Sequence, residues 1–396
     1  MRALLLALLI LSPPLAAAAD GAPFDGWFSV AAPTQERWDV APVPGDGRQV
    51  LIRSREPAKG APLRVMVIYP RRSSAYDVAM TTLLKEFAER PFNLEFLAVN
   101  FDGDPDRGEA LLAEAESGGV ALIYAMGSET VEWLHGRSVD PSIPVVSICA
   151  KDPVQLGQMP DYLQGSGRNI AFTSLNVLID VQVEHLRELK PDLKNLAILV
   201  DEMNISAVET QARPIAAAVR TIGADAFEVG VTDPARAREE LAVLVPEAVA
   251  RMRRSDPTLE HSLFWITGST SVFAEIETIN AHSDRVPVLS VVPDVVQAGE
   301  SSAVLSIGVS FESNAQLAAV YGAEILSGAR GAGDMPVGLV SPPDIAVNFL
   351  RARRIGLRTP FAFFETATFV YGPDGAPVRV HGQSVLESSK DQGATR

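Results

Sequence analysis

The stretch that decides the fold runs from 145 to 189 and reads VVSICAKDPV (145–154), GSGRNIAFTS (165–174) and LNVLIDVQVEHLREL (175–189). An apolar strand ends in an Asp-Pro-Val turn, an extended segment follows a Gly-rich link, and a long amphipathic helix then opens a new α/β unit. This arrangement is typical of a chain that leaves one doubly wound lobe and enters another. A cleft between two such lobes is a natural place to bind a small molecule.

Strands that are apolar throughout alternate with helices on both sides of this stretch. The predicted strands are 63–70, 92–100, 119–127 and 143–149 before it, and 195–201, 225–231, 263–268 and 286–292 after it. Such strands indicate parallel sheets that are covered by helices on both faces. One more strand and helix at 302–329 and the elements up to 357 are too few for a third domain, so we expect them to return to the two lobes through several crossovers.

The chain is therefore predicted to have five parts. These are a signal peptide at 1–19, a leader at 20–61, a first lobe at 62–172 plus 307–337, a second lobe at 173–306 plus 338–370, and a disordered tail at 371–396. The leader is rich in Pro and Gly, and it either packs on the body or forms a short hairpin. The tail is polar and rich in Gly and Ser.

The N-terminus has the pattern of an export signal. Arg2 precedes a short apolar run at 3–11, and small residues at 17–19 fit a signal-peptidase site. The run is too short to span a bilayer, and no later segment is long and apolar enough to do so. Since no Cys stands near the cleavage site to carry a lipid, we expect a soluble periplasmic protein.

Composition excludes several classes of function. The formal net charge is -15, which disfavours binding to nucleic acid. Cys149 is the single cysteine, so an intramolecular disulfide is impossible, and its apolar strand favours a buried, inert thiol. The five His residues are scattered, and the familiar hydrolase, zinc and nucleotide motifs are absent, so we expect neither an enzyme nor a metal or cofactor site.

Five segments in a fixed order resemble a known family. They are the strand followed by DPV (152–154), GSGRNI (165–170), 182–199, 308–337 and 344–360. Together they resemble the bacterial ABC-transporter substrate-binding proteins whose members include tryptophan- and tyrosine-binding lipoproteins, over about residues 62–360. The resemblance implies a type I periplasmic binding protein fold, in which two Rossmann-like lobes with parallel sheets are joined by a three-crossover hinge and close on a ligand.

Ligands of open α/β sheets lie beyond the carboxyl ends of the strands, beside helix N-termini. The candidate ligand contacts are Tyr69, Ser73, Ser74, Gly127, Ser128, Asp152, Asn204, Thr267, Ser269, Asp294 and Phe311. Gly127 and Ser128 match a Gly-Thr pair of the family, where N–H groups and a hydroxyl can bind an acceptor; the alternative is an ordinary Ser N-cap. Asp152 is alternatively a turn-former, and Tyr69 and Phe311 either stack on the ligand or belong to the core.

Two segments depart from the family pattern. TGSTS (267–271) stands where the family often has Thr-Asp-Asn, and VSFESN (309–314) stands where it usually has an Asp-Tyr pair and a Gly. A desolvated ammonium group needs a carboxylate or several carbonyl acceptors. We therefore hypothesise a ligand that is less cationic, or more apolar, than a free amino acid.

The sequence favours a periplasmic solute-binding protein that delivers a small molecule to an inner-membrane ABC permease and works as a monomer. The ligand would be amino-acid-like, aromatic or more apolar. An alternative from another class is a periplasmic sensor that signals ligand occupancy to a membrane receptor. An enzyme on this scaffold would need clustered titrating groups, which the sequence does not display.

Overall fold

The first sheet lies within the residues that the computed structural model describes, 26–137 and 143–385; the predicted signal peptide lies outside them. Its seven described strands are β1 (Trp38–Val43), β2 (Asp46–Ser54), β3 (Leu63–Tyr69), β4 (Leu94–Asn100), β5 (Val120–Met126), β6 (Val145–Ile148) and β7 (Ile170–Ala171), in the order β1-β2-β4-β3-β5-β6-β7. The strands from β4 to β7 are parallel neighbours. Their carboxyl ends therefore meet at one edge of the sheet.

The second sheet follows a short strand, β8 (Thr173–Ser174). Its nine described strands are β9 (Asn195–Asp201), β10 (Asp225–Val231), β11 (Ser262–Ile266), β12 (Val288–Ser290), β13 (Leu305–Gly308), β15 (Asp344–Asn348), β16 (Phe369–Tyr371), β17 (Pro377–Val380) and β18 (Gln383–Ser384); β14 (Gly338–Leu339) pairs with β8 instead. The strands from β10 to β13 run parallel, and β15 joins β13 antiparallel. Every residue of β9 and β11 is buried, as expected for strands with helices on both faces.

Helices connect the strands and cover the sheets. In the described residues they are α1 (Thr34–Arg37), α2 (Ser74–Ala88), α3 (Pro105–Ser117), α4 (Gly127–His135), α5 (Ile179–Leu189), α6 (Ile205–Ala207), α7 (Arg213–Thr221), α8 (Ala237–Met252), α9 (Thr270–Phe273), α10 (Ile276–His282), α11 (Phe311–Leu326), α12 (Phe349–Ile355) and α13 (Phe361–Thr366). A π-helical turn, Val208–Ala212, joins α6 to α7. We call the first sheet with its helices and α11 the first lobe, and the second sheet with its helices the second lobe.

The chain crosses between the lobes three times within residues 171–344. It passes from β7 through β8 to the second lobe, from β13 to α11 in the first lobe, and from β14 back to β15. Helix α11 packs in the first lobe, where the Tyr124 hydroxyl donates a hydrogen bond to the Ala318 carbonyl (3.2 Å). The predicted fold, two α/β lobes joined by a three-crossover hinge, is confirmed.

A buried amide ties the crossings together. The Asn314 side chain of α11 is fully buried, and its Oδ1 accepts from the Cys149 N–H (2.8 Å) at the end of β6. Its Nδ2 donates to Thr173 Oγ1 and to the Ser174 carbonyl, both at 3.2 Å. One side chain therefore links the last helix of the first lobe to β6 and to the first crossing.

The leader segment, as far as it is described, belongs to the first lobe. β1 and β2 form an antiparallel hairpin, and β2 extends the sheet by pairing with β4. The rings of Trp27 and Phe28 are buried and pack edge-to-face against Tyr69. The segment thus both forms a hairpin and packs on the body.

Two predicted boundaries differ from the structure. The predicted disordered tail at 371–396 is wrong for its described part, because β17 and β18 extend the second sheet as far as Ser384. Backbone pairing orders this segment despite its polar composition. The predicted change of lobe between 306 and 307 falls inside β13, so that crossing comes after Gly308.

Candidate ligand-binding cleft

A small cavity of about 50 Å³ lies between the lobes at the carboxyl ends of their strands. Residues of the first lobe, the second lobe and the crossings line it: Arg71, Ser73, Ala75, Tyr76, Ser128, Glu129, Cys149, Lys151, Leu175, Asn204, Ser206, Gly268, Thr270 and Phe311. Ligand pockets for drug-sized molecules are usually about 300–1,000 Å³. The lobes therefore stand close together, and a ligand of ordinary size requires them to separate.

Lys151 spans the cleft. It follows β6, its side chain is buried, and its ammonium donates a hydrogen bond to the Gly268 carbonyl of the second lobe (3.3 Å). Its backbone N–H donates to Ser128 Oγ (2.9 Å), which fixes the start of the side chain. The pKa of Lys151 is lowered to about 8, mainly because the ammonium is buried. Cys149 opposes this shift, and the positive charge of Arg71 adds to it. The group thus keeps its charge at neutral pH.

Gly268 is the second-lobe partner of this contact. A Cβ at this position would stand 2.3 Å from Lys151 Nζ, so any larger residue would push the ammonium away from its present position. The Gly268 N–H donates to Gln211 Oε1 (2.7 Å), and Gln211 Nε2 donates to Asn176 Oδ1 (3.3 Å). Gln211 belongs to the π-helical turn, a type of irregularity that is frequent at functional sites. Gly268 is therefore held through both its N–H and its carbonyl.

Arg71 and Glu129 form an ion pair at the edge of the cavity. Arg71 Nε donates to both carboxylate oxygens of Glu129, at 3.2 and 3.1 Å. Both side chains are about half exposed, at 46% and 57%, so water screens the pair. The opposite charges of Arg71 and Glu129 cancel, whereas no ion pair among the described residues cancels the charge of Lys151.

The turn before α4 has an unusual backbone. Gly127 has φ of +75°, and a Cβ there would stand 2.1 Å from the hydroxyl oxygen of Tyr76. Glycine is therefore required both by the left-handed backbone and by the close approach of the phenol. The start of α4 has no side-chain cap, since Met126 occupies the N-cap position. Ser128 is thus not an N-cap, and its hydroxyl instead accepts from Lys151.

Four of the predicted contacts line the cavity: Ser73, Ser128, Asn204 and Phe311. Ser73 Oγ accepts from the Ala75 N–H (3.3 Å) at the start of α2. Asn204 Oδ1 accepts from the Ala207 N–H (3.2 Å). These side chains shape the turns and also present polar atoms to the cleft.

The other predicted contacts lie outside the lining: Tyr69, Ser74, Gly127, Asp152, Thr267, Ser269 and Asp294. Tyr69 is a fully buried core residue, and Ser74 is exposed at the start of α2. Thr267 Oγ1 donates to the Leu199 carbonyl (3.1 Å), and Ser269 Oγ accepts from Asn204 Nδ2 (3.2 Å). Their hydrogen bonds hold the second-lobe loops behind the lining residues.

Two acids near the strand ends, Asp152 and Asp201, accept hydrogen bonds from neighbouring groups of the protein. Asp152 accepts from the Val154 and Gln155 N–H groups and from the Tyr162 hydroxyl. Asp201 accepts from the Ser271 hydroxyl (2.6 Å) and from the Met203 N–H (2.9 Å).

Asp294 lies at the second crossing instead of the cavity. It accepts from the Phe311 N–H (3.3 Å), and burial raises its pKa to about 6. Asp344 accepts from the neighbouring Ser310 N–H (2.9 Å). The two carboxylates thus hold the backbone at the start of α11, so Asp294 has a hinge role.

Sequence reasoning missed the charged part of the lining. It singled out neither Arg71, Glu129 nor Lys151, although the strand-end segments 70–74 and 150–152 contain two of them. The available signal was a lysine directly before the Asp-Pro-Val turn. It was overlooked because the adjacent Asp152 is the more familiar ligand group.

The remaining chemistry of the cleft is limited. Cys149 is buried, and burial raises the pKa of its thiol, so the reactive thiolate is disfavoured. Among the described residues, no group of three or more His, Cys, Asp or Glu side chains is placed to hold a metal ion. In the same part of the chain, no helix has the length and apolar character needed to cross a membrane.

The two lobes, the three crossings and the cavity between them define the class of type I periplasmic binding proteins. The model of the family described as ABC transporter substrate binding protein matches residues 89–370, and the chain belongs to that family. The family prediction made from the sequence is therefore confirmed. No curated protein sequence matches the chain.

Solved structures of low identity share the fold. A conserved domain protein from Vibrio cholerae is 19% identical with a TM-score of 0.61, over 78% of this chain and 100% of that one. An ABC domain from Streptococcus pneumoniae in complex with L-Trp is 15% identical with the same TM-score and coverage. A substrate binding protein with adhesive properties from Clostridium difficile, in a ligand-free, open structure, is 18% identical with a TM-score of 0.55, over 75% of this chain and 96% of that one.

Proposed function

We propose that this chain is the periplasmic solute-binding component of an ABC importer, which carries one small molecule in its cleft to an inner-membrane permease. The observation that carries the proposal is that both lobes line one cavity, across which Lys151 reaches Gly268. A ligand bound there contacts both lobes. Its binding energy therefore favours the closed arrangement, which the permease would recognise.

Two of the similar structures support a cycle of opening and closing. The streptococcal protein holds L-Trp, and the clostridial protein was solved open and without ligand. A hinge of three crossings allows such a motion with small backbone changes. The cavity of about 50 Å³ is in keeping with a closed arrangement that must open to load its ligand.

The proposal assigns binding, with no chemical change of the ligand, to a monomer in the periplasm. The N-terminal pattern at 1–19 supports export. The raised pKa of the Cys149 thiol argues against a nucleophilic thiolate in the cleft. The ligand class remains that of small molecules that are amino-acid-like, aromatic or more apolar.

The test is to purify the protein from its native host, denature it and identify any released small molecule by mass spectrometry. We expect one molecule per protein chain. Adding it back to the emptied protein at about 100 times its Kd should raise the free energy of unfolding by about 2.7 kcal/mol. It should also reduce the radius of gyration in X-ray scattering. A protein that is empty and unchanged by a broad ligand screen would contradict the proposal, and turnover of the molecule would point to an enzyme.

A further inference from the structure

The Lys151 ammonium is a buried charge without a counter-ion. Its residue is 7% exposed, and no ion pair of the described residues includes it. Its one acceptor is the Gly268 carbonyl at 3.3 Å, whereas an ammonium has three N–H groups to donate. Burying an unpaired charge is costly, and a bound anion would remove that cost.

The charges around the cavity do not compensate for Lys151. Glu129 is the single carboxylate among the described lining residues, and Arg71 already pairs with both of its oxygens. Asp201, the acid at the end of β9, lies outside the lining and forms no ion pair with Lys151 among the described residues, and its charge instead helps to raise the pKa of Arg71. With Arg71 and Glu129 balancing each other, the lining retains one positive charge.

Two hydroxyl groups are available beside the ammonium. Ser128 Oγ accepts from the Lys151 N–H, and Ser73 Oγ accepts from the Ala75 N–H. Among the described residues, no acceptor receives the hydrogen of either hydroxyl. Both hydroxyl groups can therefore donate to an anion in the cavity. A carboxylate has two oxygens with about four acceptor sites, so it needs several such donors.

We propose that the ligand of this cleft is a monocarboxylate without an ammonium group, bound by Lys151 with the Ser73 and Ser128 hydroxyls. The inference rests on the proposed solute-binding function and names its ligand class. A single carboxylate matches the single excess charge, whereas a phosphate dianion would leave a charge unpaired. The ammonium of an amino acid would meet Lys151 and Arg71 and find no free carboxylate.

The test uses sets of three ligands with the same hydrocarbon part: 3-phenylpropanoate, its amide and phenylalanine, and 4-methylpentanoate, its amide and leucine. Each is titrated calorimetrically into the emptied full-length mature protein at pH 7. We expect at least one acid to bind roughly tenfold or more tightly than its amide and its amino-acid analogue, because only the acid forms charge-assisted hydrogen bonds without adding a cation.

The variant Lys151→Met removes the charge and keeps a similar length. We expect it to bind that acid roughly 10- to 100-fold more weakly and to lose the preference over the amide. Lys59→Met, at an exposed lysine outside the cleft, is the matched control and should leave the affinity unchanged. Circular dichroism establishes that both variants are folded.

Three results would overturn the inference: an amide or amino acid that binds as tightly as its acid, an unchanged affinity in Lys151→Met, or no binding of any acid at about 1 mM. The proposed function is judged separately by the molecule released from the native protein. If that molecule is neutral or cationic, the function stands and the ligand class proposed here is wrong.

Discussion

The two lobes contribute different chemistry to the same cleft. The first lobe provides charged side chains, Arg71, Glu129 and Lys151, whereas the second provides neutral groups. Those neutral residues are Asn204, Ser206, Gly268 and Thr270. Under the proposed function, the first lobe selects the ligand by charge and the second lobe completes the site on closure. Four experiments would break or sharpen this comparison.

The largest expected effect is a gain of stability in Lys151→Met. The pKa of Lys151 falls from 10.5 to about 8, which corresponds to a cost of about 3 kcal/mol for the buried ammonium. Urea denaturation at pH 7 without ligand should therefore show a free energy of unfolding up to about 3 kcal/mol higher in the variant. Lys59→Met should change it by less than about 0.5 kcal/mol.

The difference in the free energy of unfolding between Lys151→Met and the wild type depends on pH through the same pKa. Between about pH 8 and 10.5 the folded protein has lost the proton and the unfolded chain keeps it, so the wild type regains stability as the pH rises. The advantage of the variant should be full below pH 8 and shrink above it. The titratable groups that line the cavity with Lys151 are Cys149, Arg71, Tyr76 and Glu129, and the second lobe presents the neutral Gly268. A destabilised variant at pH 7 would contradict the assignment of an unpaired charge.

The second experiment concerns Asn314, the hinge residue whose side chain accepts from the backbone two residues before Lys151. Asn314→Ala leaves the Cys149 N–H without its buried acceptor and removes one of the two hydrogen bonds of the Thr173 hydroxyl, so we expect a loss of about 2 kcal/mol of stability. Asn93→Ala, which removes one exposed hydrogen bond to the Gly60 carbonyl, is the matched control. Equal losses in both variants would mean that Asn314 does not tie the crossings together.

The third experiment tests whether the second lobe takes part in ligand recognition. In Gly268→Ala the new Cβ displaces the Lys151 ammonium, while the charge remains in the cleft. The affinity for the molecule released from the native protein should fall roughly tenfold, the loss expected for one hydrogen bond to a charged group. Gly136→Ala, whose Cβ would meet only backbone oxygens at 3.6 and 3.9 Å, should bind normally. An unchanged affinity in Gly268→Ala would remove the second lobe from ligand recognition.

The smallest effect is expected at the exposed ion pair. A double-mutant cycle of Arg71→Gln and Glu129→Gln, read by urea denaturation, should give a coupling energy of at most about 1 kcal/mol, because both side chains are about half exposed. A larger coupling energy would mean that this ion pair, and not Lys151, dominates the electrostatics of the cleft.

The sequence predicted the lobes well because their strands carry the signal directly. Strands such as β4 and β9 are apolar along most of their length, and the structure buries every residue in them. The end of the second sheet was missed, since Pro377–Val380 and Gln383–Ser384 are very short strands in a largely polar, Gly-containing segment and gain their order from pairing. The composition of a segment does not show which neighbouring strand it will pair with.

The site could be predicted as a region but not as a set of side chains. Asp152 was expected at the cleft, yet it turns back to cap its own turn and the preceding Lys151 enters the cavity. Which of two adjacent side chains points into a cleft depends on the turn geometry. A glycine in the other lobe, Gly268, then provides the space for it, and pattern reasoning along one segment cannot find that pairing.

Native mass spectrometry of the protein from its natural host, wild type beside Lys151→Met, tests the central claim most directly. We predict one small carboxylic acid on each wild-type chain and a chain without ligand in the variant, with both proteins folded. The same molecule at equal occupancy on both proteins would contradict the claim that Lys151 holds the ligand in the cleft between the lobes.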